Sequence, residues 1–75
     1  PANLGEFDIL AMHEAIEQLA TLDTRQAQIV EMRFFAGMTV EEVAEALGIS
    51  RRTVEGDWTH AKAWLRARFA REAEA

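Results

Sequence analysis

The sequence contains no cysteine and no tyrosine, and it has a single serine (Ser50) and a single lysine (Lys62). Without cysteine there can be no disulfide and no thiolate metal site, so the core must come from packed helices or sheets. A nucleophile, a base and an orienting group are hard to assemble from so few reactive side chains, because His13 and His60 lie far apart in the chain. We therefore predict that the protein is not an enzyme.

Signals for metals, cofactors and membranes are also lacking. His13 is followed by Glu17 where a zinc-protease helix needs a second histidine, so we predict no metal site, no cofactor and no small-molecule ligand. No apolar run approaches the roughly 18 residues of a membrane span, and no signal peptide opens the chain. Because disulfides are rare in the reducing cytoplasm, the absence of cysteine agrees with the cytoplasmic location that we expect.

The chain of 75 residues has room for one small domain, and its 49% of hydrophobic residues can form a core. It begins at Pro1 rather than Met, so we interpret residues 1–75 as one domain of a larger protein. The net charge of −5 is unevenly distributed: residues 1–50 carry two basic and nine acidic side chains, whereas residues 51–75 carry six basic and four acidic ones. An acidic body with one basic element can still bind a polyanion locally.

Apolar residues recur at helical spacing in four segments, and no segment alternates as a half-buried strand does. The pattern predicts an all-α, four-helix domain with helices at about 6–21, 24–36, 39–47 and 51–71. The first helix should face the core through a stripe of four residues with two flanking ones: Ile9, Met12, Ile16 and Leu19, flanked by Phe7 and Ala15.

The second predicted helix has boundary signals of its own. Asp23 and Gln26 have the spacing of a capping box, and Gly37 supplies a left-handed stop. Its apolar positions are too many for one narrow stripe, so we expect this helix to be central. One of Phe34 and Phe35 should complete the core, while the other lines a groove for a partner protein.

Two helices joined by a tight turn are the most informative feature. Thr39 and Glu42 have the spacing of a capping box for the third helix, Gly48 permits the left-handed conformation that ends it, and Ser50 can cap the fourth. A short helix, a turn with glycine and a second helix match the helix-turn-helix layout. We predict a C-terminal helix-turn-helix whose second helix, the recognition helix, is long.

A rotation of about 100° per residue separates the faces of the recognition helix. The side that carries Val54 faces the core, and the opposite side would meet the base edges if the helix entered the major groove. There arginine can bind guanine, glutamate can accept from a cytosine amine, and glycine permits close approach. Cations nearer the sides would meet phosphates. We predict DNA contacts by eight residues of this helix: Arg51, Arg52, Thr53, Glu55, Gly56, Thr59, His60 and Lys62.

Two blocks of the chain resemble region 4 of bacterial sigma factors, most closely the extracytoplasmic-function (ECF) type. They are MRFFAGMTVEEVAEALGIS (residues 32–50) and the long helix that ends in DWTHAKAWLRARF, and the likeness covers about residues 7–69. The resemblance implies a four-helix domain that binds the minus-35 promoter element in the major groove. It also implies docking on the β-subunit flap of RNA polymerase through an apolar surface of the earlier helices, and an anti-sigma factor is a further partner of such domains.

The resemblance implies phosphate contacts outside the recognition helix as well. These are Arg33 and the start of the third helix at Thr39 and Val40, where unbonded N–H groups favour an anion. Members of the family often have basic or small polar residues where this chain has Glu55, Gly56 and Asp57. We expect the two acids to repel phosphates and to weaken DNA binding by the domain alone, so that attachment to polymerase supplies the effective concentration.

Two alternative functions stay open at this point. The output domain of a two-component or quorum-type regulator has a similar turn, but it usually ends in a short fourth helix, whereas the recognition helix here continues without a break. The other alternative is a helix-turn-helix that serves only protein interaction, which the acidic recognition helix and the net charge of −5 support. The salt dependence of DNA binding separates these, because phosphate contacts give a steep slope.

Overall fold

The structure, a computed structural model, describes the backbone of residues 4–74 and the side chains of residues 9–71. Four α-helices follow one another along the chain, and a π-helical turn, Glu31–Phe35 (the π turn), extends the second: α1 (Leu4–Leu22), α2 (Thr24–Val30), α3 (Val40–Leu47) and α4 (Arg51–Glu74). No strand occurs in this range, which confirms the predicted all-α class. None of the helices within residues 4–74 is long and apolar enough to cross a membrane.

The predicted capping box at the start of α2 is only half formed. The carboxylate of Asp23 accepts the backbone N–H of Gln26 at 3.0 Å, as an N-cap does. The side chain of Gln26 points elsewhere: it is buried, and its Oε1 lies 3.2 Å from Nδ1 of His60. The N–H of Asp23 donates instead to the carbonyl of Leu19 at 2.7 Å. Gln26 therefore connects α2 to α4 rather than closing the cap.

The predicted second helix, residues 24–36, is not one uniform α-helix. Its last part is the π turn, in which the N–H of Ala36 donates to the carbonyl of Glu31 at 3.2 Å. A π-helical turn rotates the residues that follow it away from their α-helical positions. Phe34 and Phe35, the last two residues of the π turn, are 45% and 47% exposed, so the prediction that one of them completes the core is wrong. The two rings pack edge to face, with their centroids 5.0 Å apart.

The turn between α3 and α4 forms as predicted. Both bonds of the α3 capping box are present, because the N–H of Glu42 donates to the Thr39 hydroxyl at 3.1 Å and the N–H of Thr39 donates to the Glu42 carboxylate at 2.8 Å. Gly48 has a φ of 68°, a conformation that a Cβ would strain. The Ser50 hydroxyl accepts the N–H of Thr53 at 3.0 Å. Local hydrogen bonds thus cap the N-terminus of each of the two helices.

Two clusters of buried side chains form the core, and α2 contributes to both. The α1 cluster joins α1, α2 and the second half of α4: Ala15, Ile16, Leu19, Ala27, Val30, Ala61 and Leu65. The turn cluster lies beneath the helix-turn-helix: Ile29, Val43, Ala44 and Val54. The neighbouring residues Ile29 and Val30 belong to different clusters, which confirms the central position predicted for this helix. Trp58 of α4 packs against both.

The prediction of the core face of α1 is correct for the C-terminal part of the helix and wrong for its N-terminal part. The last two residues of the stripe are buried and Met12 packs against the α1 cluster, but Ile9 is 56% exposed. The neighbouring Leu10 is 65% exposed as well, so the first described turn of α1 extends past the α1 cluster. Phe7 lies outside the residues whose side chains the structure describes.

Candidate nucleic-acid interface

One side of the first half of α4 faces solvent, as the helical rotation predicts. Val54 is fully buried, whereas Arg52, Gly56 and Thr59 on the opposite side (the outward stripe) are exposed. A Cβ built on Gly56 would meet no atom within 4 Å, so open space adjoins the helix there. The outward stripe is about 10 Å long at the helical rise per residue. This length is close to the width of the DNA major groove.

Arg51 and Glu55 lie beside the outward stripe and form exposed ion pairs. Nη1 of Arg51 is 3.2 Å from Oε2 of Glu41 in α3, and its Nη2 is 3.7 Å from Oε2 of Glu55. All three side chains are more than half exposed, so water and salt screen these pairs strongly. Breaking them costs little, and Arg51 can exchange a carboxylate for a phosphate.

Three other predicted contact residues belong to the helix caps or the core. The Thr53 hydroxyl accepts a hydrogen bond from the Ser50 hydroxyl at 2.9 Å, and the side chain is half-buried. The Thr39 hydroxyl is occupied by the N–H of Glu42, and Val40 packs against the turn cluster. Their first role is to hold the turn in shape, and a phosphate contact would come in addition.

Arg33 and Lys62 lie on the same aromatic ring. The guanidinium carbon of Arg33 is 5.1 Å and the Nζ of Lys62 is 5.3 Å from a ring centroid of Trp58, within the range of cation–π attraction. Nη1 of Arg33 also donates to the carbonyl of Met38 at 2.6 Å, directly after Gly37, whose φ of 68° makes the predicted left-handed stop. The fold thus brings two predicted phosphate ligands together on one flank of α4.

On the other flank, Asp57 and His60 contact α2, and sequence reasoning missed both contacts. Nε of Arg25 donates to Oδ2 of Asp57 at 2.6 Å, and Nδ1 of His60 lies 3.2 Å from Oε1 of Gln26. The hydrogen bond to Asp57 and the negative charge of that residue raise the pKa of Arg25 above its ordinary value. A cation from α2 therefore neutralises the Asp57 carboxylate that we expected to repel phosphate.

The sequence does contain one signal for the Arg25–Asp57 pair. At about 100° per residue, Asp57 lies about 60° from Val54, which places it beside the core face rather than opposite to it. A partly buried carboxylate requires a partner. Among residues 1–50, Arg25 and Arg33 are the only arginine or lysine residues. Asp57 therefore has only two candidate partners in that part of the sequence.

The comparisons with known proteins agree with this geometry. The profile of the ECF sigma factor family matches residues 5–71, a range that includes the helix-turn-helix and the outward stripe. No curated protein and no solved structure matches the chain. The family consists of non-enzymatic transcription factors that act in transcription initiation and bind DNA. Because the match extends over most of its length, the chain belongs to the ECF sigma factor family.

Proposed function

We propose that the domain acts as region 4 of an ECF sigma factor and reads the minus-35 promoter element through the outward stripe. Membership of the family implies RNA polymerase and promoter DNA as partners. The observation that carries the finer assignment is the exposure of Arg52, Gly56 and Thr59 on one side of α4, the second helix of a fixed helix-turn-helix. Arginine can donate two hydrogen bonds to guanine, and the open space at Gly56 lets the DNA approach closely.

Cations beside the outward stripe would hold the DNA backbone. Arg51 lies on the flank that faces α3, and Arg33 and Lys62 share the ring of Trp58. Contacts to phosphate position a helix in the groove but carry no sequence information. We therefore assign base reading to the outward stripe and positioning to these three cations.

Docking on the β-subunit flap of polymerase is the second part of this proposal, and Phe34 and Phe35 support it. Both rings of this edge-to-face pair are almost half exposed on the π turn. Aromatic side chains that are exposed together are typical of protein interaction sites. Because the net charge of −5 opposes DNA binding, attachment to polymerase would raise the local concentration of the reading helix near the promoter.

Selection of duplexes from a randomised pool by this domain tests the DNA part. Fluorescence anisotropy then measures the affinity for the selected duplex and for a scrambled duplex at about 50 and about 200 mM salt. We expect one enriched motif and an affinity for it that falls steeply with salt. Failure to enrich any motif, together with no binding at the lower salt concentration, would contradict DNA reading by the domain.

A pull-down with the isolated β flap tests the docking part. Replacing Phe34 and Phe35 by serine should abolish retention, because the exposed rings supply the apolar contact. Leu22→Ser is the matched control, since Leu22 is 66% exposed at the end of α1 and lies outside the π turn. Equal retention of the phenylalanine variant and the control would sink this assignment.

A further inference from the structure

The Arg25–Asp57 pair is asymmetric in a way that leaves the cation accessible. The side chain of Asp57 is only 15% exposed, whereas that of Arg25 is 49% exposed. The hydrogen bond between them uses Nε of the guanidinium. A guanidinium is a planar fork with five N–H donors, so a bond at Nε orients the plane while the terminal nitrogens keep their donors. Because Arg25 is more exposed than Asp57, the cation is the part of the pair that an approaching anion meets first.

A second contact keeps Arg25 in a fixed place beside the outward stripe. The pair joins α2 to α4 across 32 positions of sequence, and Asp57 directly follows Gly56 of the stripe. The next residue of α2, Gln26, meets His60, which lies about one helical turn further along α4. Two side-chain contacts one turn apart hold this part of α2 against the recognition helix.

We propose, on the basis of the proposed DNA reading, that Arg25 contacts a DNA phosphate beside the groove and that Asp57 is the positioning residue that orients it. Arginine donates two parallel hydrogen bonds to phosphate oxygens when its plane is correctly presented. This flank of α4 has no Arg or Lys of its own between residues 53 and 61, so α2 supplies the cation there. The acid in the recognition helix is then compatible with DNA binding, because the pair is neutral and its cation lies nearer to the DNA.

The test compares Arg25→Gln with Arg71→Gln. The control removes the same charge from an exposed residue about 20 Å further along α4 than Asp57. Anisotropy measures the affinity of each variant for the selected and the scrambled duplex at about 50 and about 200 mM salt. One phosphate contact contributes about 0.9 to the slope of log K against log salt, so over this range the unaltered chain should lose about 3.5 times more affinity than Arg25→Gln does. Arg25→Gln should weaken both duplexes by the same factor, because a phosphate contact carries no sequence information.

The possible outcomes separate this inference from the proposed function. Equal salt slopes for Arg25→Gln and Arg71→Gln would show that Arg25 makes no phosphate contact, while promoter reading would stand. An unaltered chain that binds neither duplex would overturn both. Circular dichroism must show each variant helical at the assay temperature, and Arg25→Met, which keeps the apolar stem, replaces the glutamine variant if that one unfolds.

Asp57→Asn tests the positioning role of Asp57 through the direction in which DNA affinity changes. If Asp57 orients Arg25, the asparagine variant should bind both duplexes more weakly with an unchanged salt slope, because the cation is still present but no longer held. In the Arg25→Gln background the same change should have no further effect. If Asp57 repels phosphate instead, the affinity rises, and a raised or unchanged affinity overturns the positioning role.

Discussion

In the first half of α4, residues 51–60, the side chains opposite Val54 face solvent, whereas in the second half, residues 61–71, Ala61 and Leu65 are buried between α1 and α2. The second half also carries Arg68, whose Nη1 donates to Oε1 of Gln18 in α1 at 2.9 Å. One uninterrupted helix thus carries the outward stripe on its first half, opposite Val54 of the turn cluster, and packs into the α1 cluster with its second half.

The difference between the halves explains how a small domain can hold the proposed reading surface in place. A continuous helix couples the position of its second half to that of its first half, because the backbone N–H groups beyond its first turn are bonded within the helix. Trp58 stands at the junction and packs against both clusters. Substitutions of buried residues in the second half should therefore act mainly on stability, and substitutions on the outward stripe should act mainly on DNA binding.

Leu65→Ala should give the largest effect and should act on stability. Leu65 is 6% exposed in the α1 cluster, and truncation of a buried leucine to alanine costs about 2–5 kcal/mol of unfolding free energy. Urea unfolding followed by circular dichroism measures this loss. Ala67→Ser, at an exposed position in the same half, should change stability by no more than about 0.5 kcal/mol. Similar losses in both variants would contradict the anchoring role of Leu65.

Arg52→Ala should give the opposite result, with stability retained and DNA affinity lost. Arg52 is exposed at the start of the outward stripe, so its truncation leaves the core intact. Loss of a bidentate contact to guanine costs about 1–3 kcal/mol of binding free energy and relaxes the preference at one base pair. Anisotropy with the selected and scrambled duplexes measures both effects. Arg66→Ala, an exposed cation of the second half, is the control, and equal losses on the two duplexes would contradict base reading by Arg52.

Features that depend on neighbours in the sequence could be predicted, and those that depend on how helices cross could not. The capping box of Thr39 and Glu42 and the left-handed Gly48 involve residues within one turn of each other, so their spacing predicts them. The same spacing at Asp23 and Gln26 gives only half of a capping box, because the side chain of Gln26 contacts α4 instead. The pairing of Arg25 with Asp57 depends on where α2 crosses α4, which no local pattern encodes. The outward stripe belongs to the first kind, whereas the neutralisation of Asp57 belongs to the second.

The π turn is the main feature of the fold that the sequence did not reveal. The apolar residues in Glu31–Phe35 fit an α-helical continuation as well as a wider turn, because periodicity over five residues is too short to separate the two. The packing of Arg33 on Trp58 and its bond to the Met38 carbonyl accompany the wider turn. The exposure of both phenylalanines could therefore not be predicted from spacing, and the role of one of them in a groove for a partner protein stays a prediction.

Gly56→Ala sharpens the comparison within the first half of α4, because it should raise stability and lower DNA affinity. Alanine favours a helix interior over glycine by about 1 kcal/mol, and the added Cβ meets no atom of the protein within 4 Å. On the DNA side, the methyl group occupies the space that a close approach requires. Thermal unfolding and anisotropy measure the two effects on the same sample. A stabilised variant with unchanged affinity would mean that DNA does not approach the helix at this point.

Glu55→Gln should have the smallest effect on stability. The ion pair between Glu55 and Arg51 is exposed and 3.7 Å long, and such pairs contribute at most about 1 kcal/mol to the free energy of unfolding. On scrambled DNA the affinity should rise slightly, since an acid beside the phosphates is removed. On the selected duplex it should fall if the carboxylate accepts from a cytosine amine. If the affinity rises equally for both duplexes, the only role of Glu55 is to repel phosphate. If the affinity changes for neither duplex, Glu55 does not lie beside the DNA. The expected fall for Asp57→Asn on the scrambled duplex has the opposite sign, because Asp57 is held by Arg25 while Glu55 faces solvent.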